Sequence, residues 1–358
     1  MRRPTRILFT GYAHVHYACF RPLHERLRQW PDVEVRVSGG LRSRGADGAH
    51  RYDATAMYAP FGVPEEEILS QEEIDSRHFD VLFASNTKKI VPRSYEHSVE
   101  IFHGLSFRNR AIRRQNGASD ACFVLGPYMR RALEQHGVLG EDDPRAVPIG
   151  FMKTDRLLDG SLDREAILRA EGLSGERPVV LYAPTGAPYN SLETWGMVFL
   201  ERLRVLDAVD ILVKPHDHPK NLVDWRAGLS VLEGEHLRVV RSTDVVESMF
   251  VADLLVSDAS SVSNEFALLD RPMVFLDVPA LIAASAGNGS ALDLETWGRR
   301  AGVVARDPDE AVRAVIGGLE HPERRGDVRR ALAADLFYNP GTATGAAEAW
   351  LKADGLSA

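Results

Sequence analysis

Cysteine is nearly absent from this chain of 358 residues. Cys19 and Cys122 cannot build a disulfide framework, and no Cys-x-x-Cys pair occurs, which favours a reducing compartment. A membrane-spanning helix needs roughly 20 apolar residues. The sequence has no such run, and no apolar signal core precedes its first predicted strand at residues 7–10. These absences predict a cytoplasmic protein, with a peripheral contact at the inner face of the cell membrane left open.

Long basic runs are also missing. The formal net charge is −8, and the arginine clusters at residues 108–114 and 324–330 are mixed with other residue types, as on a solvated helix face. Nucleic acid is therefore not an expected partner. The loop after the first predicted strand, residues 11–16, lacks the Gly-x-Gly-x-x-Gly fingerprint of dinucleotide sites.

What the sequence does have is a regular alternation of short apolar runs and helical patterns. Strands are predicted at residues 7–10, 33–37, 81–84, 98–102, 121–124 and 146–149, and again at 179–183, 209–213, 237–240, 254–256 and 273–276. The alternation pauses at residues 155–177 and then restarts, which predicts an α/β protein with two doubly wound Rossmann-like domains. The predicted boundaries are 1–155, 156–335 and a closing segment at 336–358, with a loop at 39–52 and one long helix at 308–332.

The most informative segment runs from Val256 to Asp277 and reads as strand, polar turn, helix and strand. Asp258, Ser260 and Ser261 lie in the turn, where hydroxyls and backbone N–H groups at a helix start suit a phosphate. Glu265 follows one turn later, where a carboxylate can hold the hydroxyl pair of a ribose. An ordinary capped helix is the alternative interpretation, because Ser and Asp are good N-caps.

Two other segments carry histidine after a predicted strand. His103 precedes Gly104, and a histidine placed there suits a general base, or simply a hydrogen bond at a strand end. Lys214 opens Lys-Pro-His-Asp-His-Pro, in which His216 and His218 are spaced like metal ligands. The rest of a metal-ligand set is missing from the sequence, so neither a metal nor a cofactor is expected.

Two further segments contain small residues that could contact a ligand. Thr185 and Gly186 open the loop after an apolar strand, where a hydroxyl and bare backbone can meet a phosphate or a base. Thr342 follows Gly341 near the end of the chain; it could close over a diphosphate or belong to an ordinary Gly-Thr turn. The loop at residues 11–16 is assigned to the acceptor side.

Together these segments resemble, in the same order, motifs of the CDP-glycerol glycerophosphotransferase family. The matching segments are Phe102-His-Gly-Leu-Ser106 for Trp-His-Gly-Thr, Leu181-Tyr-Ala-Pro-Thr185 for Tyr-Ala-Pro-Thr, Val213-Lys-Pro-His216 for Lys/Arg-x-His-Pro, Asp258-Ala-Ser-Ser261 for Asp-x-Ser-Ser, and Tyr338-Asn-Pro-Gly-Thr-Ala-Thr-Gly345 for Asp-Gly-x-Ala-Ser. The resemblance runs from about residue 80 to the C-terminus.

The resemblance implies a GT-B fold, in which two Rossmann-like domains face a cleft. It implies transfer of a polyol phosphate, glycerol phosphate or similar, from a CDP-linked donor to a hydroxyl of a cell-wall, capsule or lipid-linked acceptor, with release of CMP. The acceptor would be a polyol phosphate or a glycan held by the N-terminal domain, and the C-terminal domain would bind the donor. His103 would be the general base, and His216 would steady the departing phosphate.

Three departures from the family pattern matter. Gly186 and Ala187 stand where the family often has an aromatic residue and an arginine, which leaves the donor headgroup open. Glu265 replaces an aspartate, and the His-Pro dipeptide at His218 is shifted by two residues, which leaves open whether His216 or His218 contacts the pyrophosphate.

A GT-B glycosyltransferase that uses a nucleotide sugar, or a related epimerase, is the alternative function. It would release a nucleoside diphosphate instead of CMP. A non-catalytic nucleotide-binding module is the third hypothesis.

Overall fold

Two compact units make up the part of the chain that the computed structural model describes. The described residues are 3–44, 49–85, 90–104, 112, 114–186, 188–216, 223–287, 297 and 299–353. Unit 1 contains the described residues of Met1–Gly104, Ala111–Asp155 and Leu336–Ala358, and unit 2 contains those of Arg156–Asp335.

Unit 1 is built on a seven-stranded parallel sheet with the strand order β5-β2-β1-β6-β7-β8-β9. Its strands are β1 (Thr5–Gly11), β2 (Val33–Gly39), β5 (Ile68–Leu69), β6 (His78–Ala84), β7 (Ser94–Ile101), β8 (Ala121–Val124) and β9 (Ala146–Pro148), and its helices are α1 (His14–Leu27), α2 (Ala54–Tyr58), α3 (Gln71–Asp75), α4 (Pro127–Gln135) and α14 (Ala343–Ala353). The chain leaves β1 toward β2 and then returns to β6, so the direction of winding switches between β1 and β6. Ligands of open α/β sheets bind at such a switch point, beyond the carboxyl ends of the strands.

An antiparallel hairpin interrupts this alternation. Strands β3 (Leu41–Arg44) and β4 (His50–Asp53) pair with each other and with no strand of the large sheet. The prediction of a loop at residues 39–52 is therefore wrong at its two ends. The strands escape detection because they are short, β4 is mostly exposed, and both are rich in Arg, His and Asp, which are not typical strand residues.

Unit 2 carries a six-stranded parallel sheet with the order β12-β11-β10-β13-β14-β15. Its strands are β10 (Val179–Tyr182), β11 (Asp210–Val213), β12 (Leu237–Val239), β13 (Leu254–Ser257), β14 (Met273–Leu276) and β15 (Val303–Ala305), and its helices are α5 (Arg164–Ala170), α6 (Ser191–Thr194), α7 (Gly196–Val205), α8 (Trp225–Ser230), α9 (Val246–Val251), α10 (Val262–Phe266), α11 (Pro279–Gly287), α12 (Pro308–Glu320) and α13 (Gly326–Leu336, whose last residue belongs to unit 1). The chain again winds one way from its first strand, β10, and returns beside it, so the switch point lies between β10 and β13. Strands β10, β11, β13 and β14 are fully buried and almost wholly apolar, because helices cover both faces of a parallel sheet.

The predicted long helix at residues 308–332 is two helices, α12 and α13. Helix α12 begins at an Asp307 cap, whose side chain accepts from the Glu310 backbone N–H, and ends at Glu320. Pro322 disfavours the helical conformation at His321, which has φ −132° and ψ 63°. Proline therefore stops the first helix, and the second begins at Gly326.

No helix among the described residues combines the length and the apolar composition that crossing a bilayer requires.

Candidate active site

Three predicted motifs meet at one edge of the unit 2 sheet. Strands β11, β10 and β13 are neighbours and parallel, and Lys214, Thr185 and Asp258, respectively, follow within three residues of their carboxyl ends. Backbone hydrogen bonds hold these ends in line: Lys214 N–H donates to Tyr182 O and Ala183 N–H donates to Val256 O, both at 2.9 Å. The sheet therefore brings together residues that are up to about seventy positions apart in sequence, and it does so at the switch point, where a ligand site is expected.

Asp258 ties two of these loops together. It is fully buried, its Oδ1 accepts from Thr185 N–H at 2.8 Å and Ala259 N–H at 2.5 Å, and its Oδ2 accepts from Ser191 N–H at 3.0 Å and Ser191 Oγ–H at 2.8 Å. Because the Ser191 hydroxyl hydrogen goes to Asp258, the Tyr182 hydroxyl, 2.7 Å from Ser191 Oγ, is the donor of that pair. These contacts give Asp258 a positioning role. Direct contact of Asp258 with a ligand stays a prediction.

The Ser260–Ser261 turn follows at the same edge. Ser260 is 8% exposed, and its Oγ lies 3.4 Å from the Val262 N–H that it accepts from. Ser261 is half-buried and precedes helix α10, yet its hydroxyl makes no capping hydrogen bond within the described residues. The alternative interpretation, a serine used as an ordinary side-chain cap, therefore does not describe Ser261. Helix α10 has only five residues, so its dipole adds little, and the hydroxyls and nearby N–H groups are the local donors.

The other unit 2 residues have different degrees of exposure. Glu265, in the first turn of α10, is 4% exposed, whereas Gly186 is half-buried beside the buried Thr185. Lys214 is buried, with Nζ 3.4 Å from the Pro215 carbonyl oxygen, and His216 is exposed. His218 lies outside the described residues, so the choice between His216 and His218 stays open.

In unit 1, His103 follows the strand β7 through the buried Phe102 and is half-buried. Gly104 is buried with φ +133°, a conformation that side chains other than hydrogen rarely allow. The His103 ring packs against the ring of His16, with 4.9 Å between centroids. His103 thus lies just beyond the carboxyl end of β7, the neighbour of β6, at the same edge of the sheet as the unit 1 switch point.

His16 is held as a neutral ring. Its Nδ1 accepts from the Tyr12 N–H at 3.1 Å, so the ring hydrogen lies on Nε2. Burial, then the neighbouring His103 and the charge of Arg42, hold the pKa of His16 well below its usual 6.5. A neutral neighbour lets His103 take up a proton without facing a second charge on His16.

Comparison with known proteins identifies the family to which the residues at the two sheet edges belong. The sequence profile of the CDP-glycerol:poly(glycerophosphate) glycerophosphotransferase family matches residues 100–342, a span that contains His103 and all the unit 2 residues above. The chain belongs to this family.

Individual members agree with that assignment. The chain is 28% identical over 144 residues to the teichoic acid poly(glycerol phosphate) polymerase of Staphylococcus epidermidis, which covers 37% of this chain and 19% of the relative. It is 26% identical over 102 residues to the teichoic acid glycerol-phosphate primase of Bacillus subtilis, covering 28% of this chain and 25% of the relative. The matches thus span a quarter or less of the relatives' own length.

The fold of this glycerophosphotransferase family member is shared with a solved structure. The wall teichoic acid polymerase TagF superposes with a TM-score of 0.68 at 15% identity, covering 98% of this chain and 88% of the other. The predicted α/β, GT-B fold class is confirmed.

Thr342, the last residue of the family match, belongs to unit 1. It is exposed, its N–H donates to Asn339 O at 3.0 Å, and its hydroxyl lies 3.3 Å from the same carbonyl oxygen. These bonds form the turn that begins α14, whose first N–H groups are capped by Asp155. Binding of the diphosphate by Thr342 stays a prediction.

Three residues of these edges were not predicted individually. Ser191 comes from α6 and no local pattern links it to Asp258. Arg42 falls inside the segment that was predicted as a loop. His16 had a usable signal, since His14-Val-His16 follows the first strand, and that loop was assigned to the acceptor side as a whole.

Proposed function

We propose that this glycerophosphotransferase family member transfers glycerol phosphate from CDP-glycerol to a hydroxyl group of a teichoic-acid-type acceptor and releases CMP. The observation that carries the proposal is the meeting of three family motifs at one edge of the unit 2 sheet, after the adjacent strands β11, β10 and β13. Such an edge offers backbone N–H groups, hydroxyls and a lysine to a nucleoside diphosphate.

The donor would bind to unit 2. Its diphosphate would accept hydrogen bonds from the Ser260–Ser261 turn and from the loop at Thr185 and Gly186, two segments that Asp258 already ties together. Glu265 would accept from the ribose hydroxyls. Because Asp258 holds the backbone of both loops in place before the ligand arrives, little backbone ordering would oppose binding.

The reaction is an in-line displacement at the β-phosphorus of the donor. His103 takes the proton of the acceptor hydroxyl as its oxygen attacks, a P–O bond forms to the acceptor, and the bond between the β-phosphorus and the bridging oxygen breaks. CMP leaves with the bonding electron pair. Lys214 and His216 would neutralise the negative charge that develops on it, and positioning and charge stabilisation supply most of the acceleration in such transfers.

The proposal extends to location and acceptor. A lipid-linked polyol-phosphate or glycan acceptor would be met at the inner face of the membrane, and the low cysteine content agrees with a cytoplasmic, reducing compartment. The capsule is a second class of acceptor that the same chemistry would serve.

The test is to incubate the full chain with CDP-glycerol and a glycerol-phosphate acceptor and to identify the nucleotide released. CMP together with an extended acceptor supports the proposal; release of a nucleoside diphosphate from a nucleotide sugar, with CDP-glycerol untouched, contradicts it. His103→Ala is expected to lower turnover by about 10²–10⁴, the usual contribution of a positioned general base, with little change in the affinity for CDP-glycerol.

His97→Ala is the matched control, because His97 is an exposed histidine on β7, the strand that leads to His103. It should retain the activity of the unaltered chain. Near-full transfer by a folded His103→Ala variant would remove His103 from the mechanism while leaving the reaction itself intact.

A further inference from the structure

The hairpin β3–β4 is anchored at the switch point of the unit 1 sheet. Its first strand follows β2 through Gly39 and Gly40, and the N–H groups of Gly40 and Arg42 donate to Gly11 O and Tyr12 O at 3.0 and 3.2 Å. Gly39 has φ +104°, and an added Cβ would lie 2.0 Å from Gly11 O, so the chain passes too close to β1 for any other residue. The sequence thus fixes Arg42 over the carboxyl end of β1.

The guanidinium of Arg42 lies on the ring of Tyr12, with Cζ 4.8 Å from the ring centroid. The Arg42 side chain is half-buried, and within the described part of the chain no carboxylate pairs with it. This cation–π contact uses none of the guanidinium N–H groups as hydrogen-bond donors to a carboxylate, so they can serve a bidentate anion. A partly desolvated guanidinium is stabilised most by an anion that pairs with it, such as a phosphate or a carboxylate.

The same cluster reaches His103 through two ring contacts. The Tyr12 and His16 rings are 4.3 Å apart between centroids, and the His16 and His103 rings are 4.9 Å apart. Tyr12 also packs against the core cluster under β1, so the cation has a rigid support. Arg42 is close enough to His16 for its charge to act on that ring. The proposed base and a fixed cation therefore share one edge of one sheet.

We propose that Arg42 binds a phosphate group of the acceptor, so that the glycerol hydroxyl next to that phosphate is presented to His103. This rests on the proposed function: a glycerol-phosphate acceptor carries its attacking hydroxyl one three-carbon unit from a phosphate. A hydroxyl alone offers the enzyme little to hold, whereas a charged phosphate on a bidentate arginine fixes both position and orientation.

The kinetic test uses the full chain with Arg42→Gln and Arg42→Lys. Arg42→Gln is expected to raise the KM for the phosphate-bearing acceptor about 10- to 100-fold, the contribution of hydrogen bonds to a charged group, with a smaller change in kcat and no change in CDP-glycerol affinity. Arg42→Lys should recover part of the loss, since it keeps the charge and loses the fork and the stacking. With an acceptor analogue that ends in glycerol and lacks phosphate, the variants should equal the unaltered chain.

Arg51→Gln is the control variant. Arg51 is exposed on β4, the partner strand of the same hairpin, and the substitution removes the same charge. It should leave the acceptor KM unchanged. A KM that rises equally in Arg42→Gln and Arg51→Gln would mean a general charge effect and would overturn the assignment, as would an unchanged KM in a folded Arg42→Gln variant.

A binding measurement separates this inference from the proposed function. Glycerol 3-phosphate, with glycerol as the uncharged reference, is titrated without any donor while the imidazole NMR signals of His16 and His103 are followed. Saturable shifts with glycerol 3-phosphate that vanish in Arg42→Gln support the anion site even if CDP-glycerol is never turned over. Shifts that persist in Arg42→Gln, or that glycerol produces equally well, overturn it even if transfer is confirmed.

Discussion

Replacing Asp258 by asparagine tests whether this carboxylate holds the unit 2 edge together. The substitution keeps the shape of the side chain and replaces one carboxylate oxygen, an acceptor, by an NH₂ group, a donor. Four donor groups now converge on the carboxylate: the N–H groups of Thr185, Ser191 and Ala259, and the hydroxyl of Ser191. All of them lie in fully or almost fully buried residues.

The size of the effect follows from this geometry. The amide oxygen of asparagine can still accept from the N–H groups of Thr185 and Ala259. The amide NH₂ group must then face Ser191, whose N–H loses its acceptor. A buried donor left unsatisfied costs about 1–3 kcal/mol, and hydrogen bonds to a charged acceptor are worth about 1.5–3 kcal/mol each. We therefore expect the Asp258→Asn substitution to lower the free energy of unfolding of unit 2 by about 3 kcal/mol.

Hydrogen exchange followed by mass spectrometry measures this loss of stability separately for each segment of the chain. A loss of about 3 kcal/mol corresponds to exchange about 100-fold faster for the amides of Thr185 and Ser191, because each 1.4 kcal/mol is a factor of ten. Amides of the unit 1 sheet serve as the internal reference. The affinity for CDP-glycerol should fall as well, because Asp258 links the two loops proposed to bind its diphosphate.

The matched control is Asp163→Asn. Asp163 is an exposed N-cap that accepts from Ala166 N–H at 3.1 Å, and asparagine caps helices about as well as aspartate. The control should stay within about 0.5 kcal/mol of the unaltered protein. If Asp258→Asn also stays within that margin and exchanges no faster at Ser191, the four hydrogen bonds do not hold the edge together and the reasoning fails.

Two further outcomes are expected. Ser260→Ala combined with Ser261→Ala should weaken CDP-glycerol binding by about 1–3 kcal/mol in calorimetry, whereas Ser230→Ala, an exposed serine of unit 2, should not; equal affinity in the folded double variant would contradict the donor placement. For His16, the folded-state pKa lies below 6.5, so as the pH falls through 6.5 the unfolded chain binds a proton that the folded chain does not. The stability contributed by neutral His16 is therefore full above pH 6.5 and is lost on acidification, by at most about 1.4 kcal/mol per pH unit. Denaturant unfolding between pH 7 and 5 should be less pH-dependent in His16→Asn, which keeps an acceptor for Tyr12 N–H, and identical pH slopes would refute this.

Most of the strand framework was predictable because parallel strands buried on both faces read as apolar runs. The predicted residues 121–124 and 273–276 coincide with β8 and β14. The strands that escaped prediction are short: β5 has two residues, and β15 has three, the first of them exposed. Such segments are strands only because a neighbouring strand pairs with them, and no local pattern records that pairing.

The site was predictable one loop at a time, and its internal connections were not. The turn at Ser260 and the loop at Thr185 stand out because small polar residues follow apolar strands. Asp258 reads locally as one more turn residue, yet its partners Thr185 and Ser191 are 73 and 67 positions away. The end of α12 at His321-Pro322 is different, because the proline that stops the helix is visible in the sequence. The prediction of a long helix across this position overlooked it.

The two switch points obey one topological rule and differ in chemistry. In unit 2 the donors beside β10 and β13 are small: backbone N–H groups and serine hydroxyls, held by a buried carboxylate. Such a surface suits a diphosphate, which needs many short hydrogen bonds and no proton transfer. In unit 1 the edge beside β1 carries aromatic rings, two imidazoles and an arginine, with His16 kept neutral by burial. An imidazole next to a neutral imidazole is suited to taking up a proton, and an arginine stacked on tyrosine is suited to holding a charged group in one orientation. Since the two chemistries reside on different sheets, substitutions in unit 2 should act mainly on donor affinity and those in unit 1 mainly on acceptor kinetics.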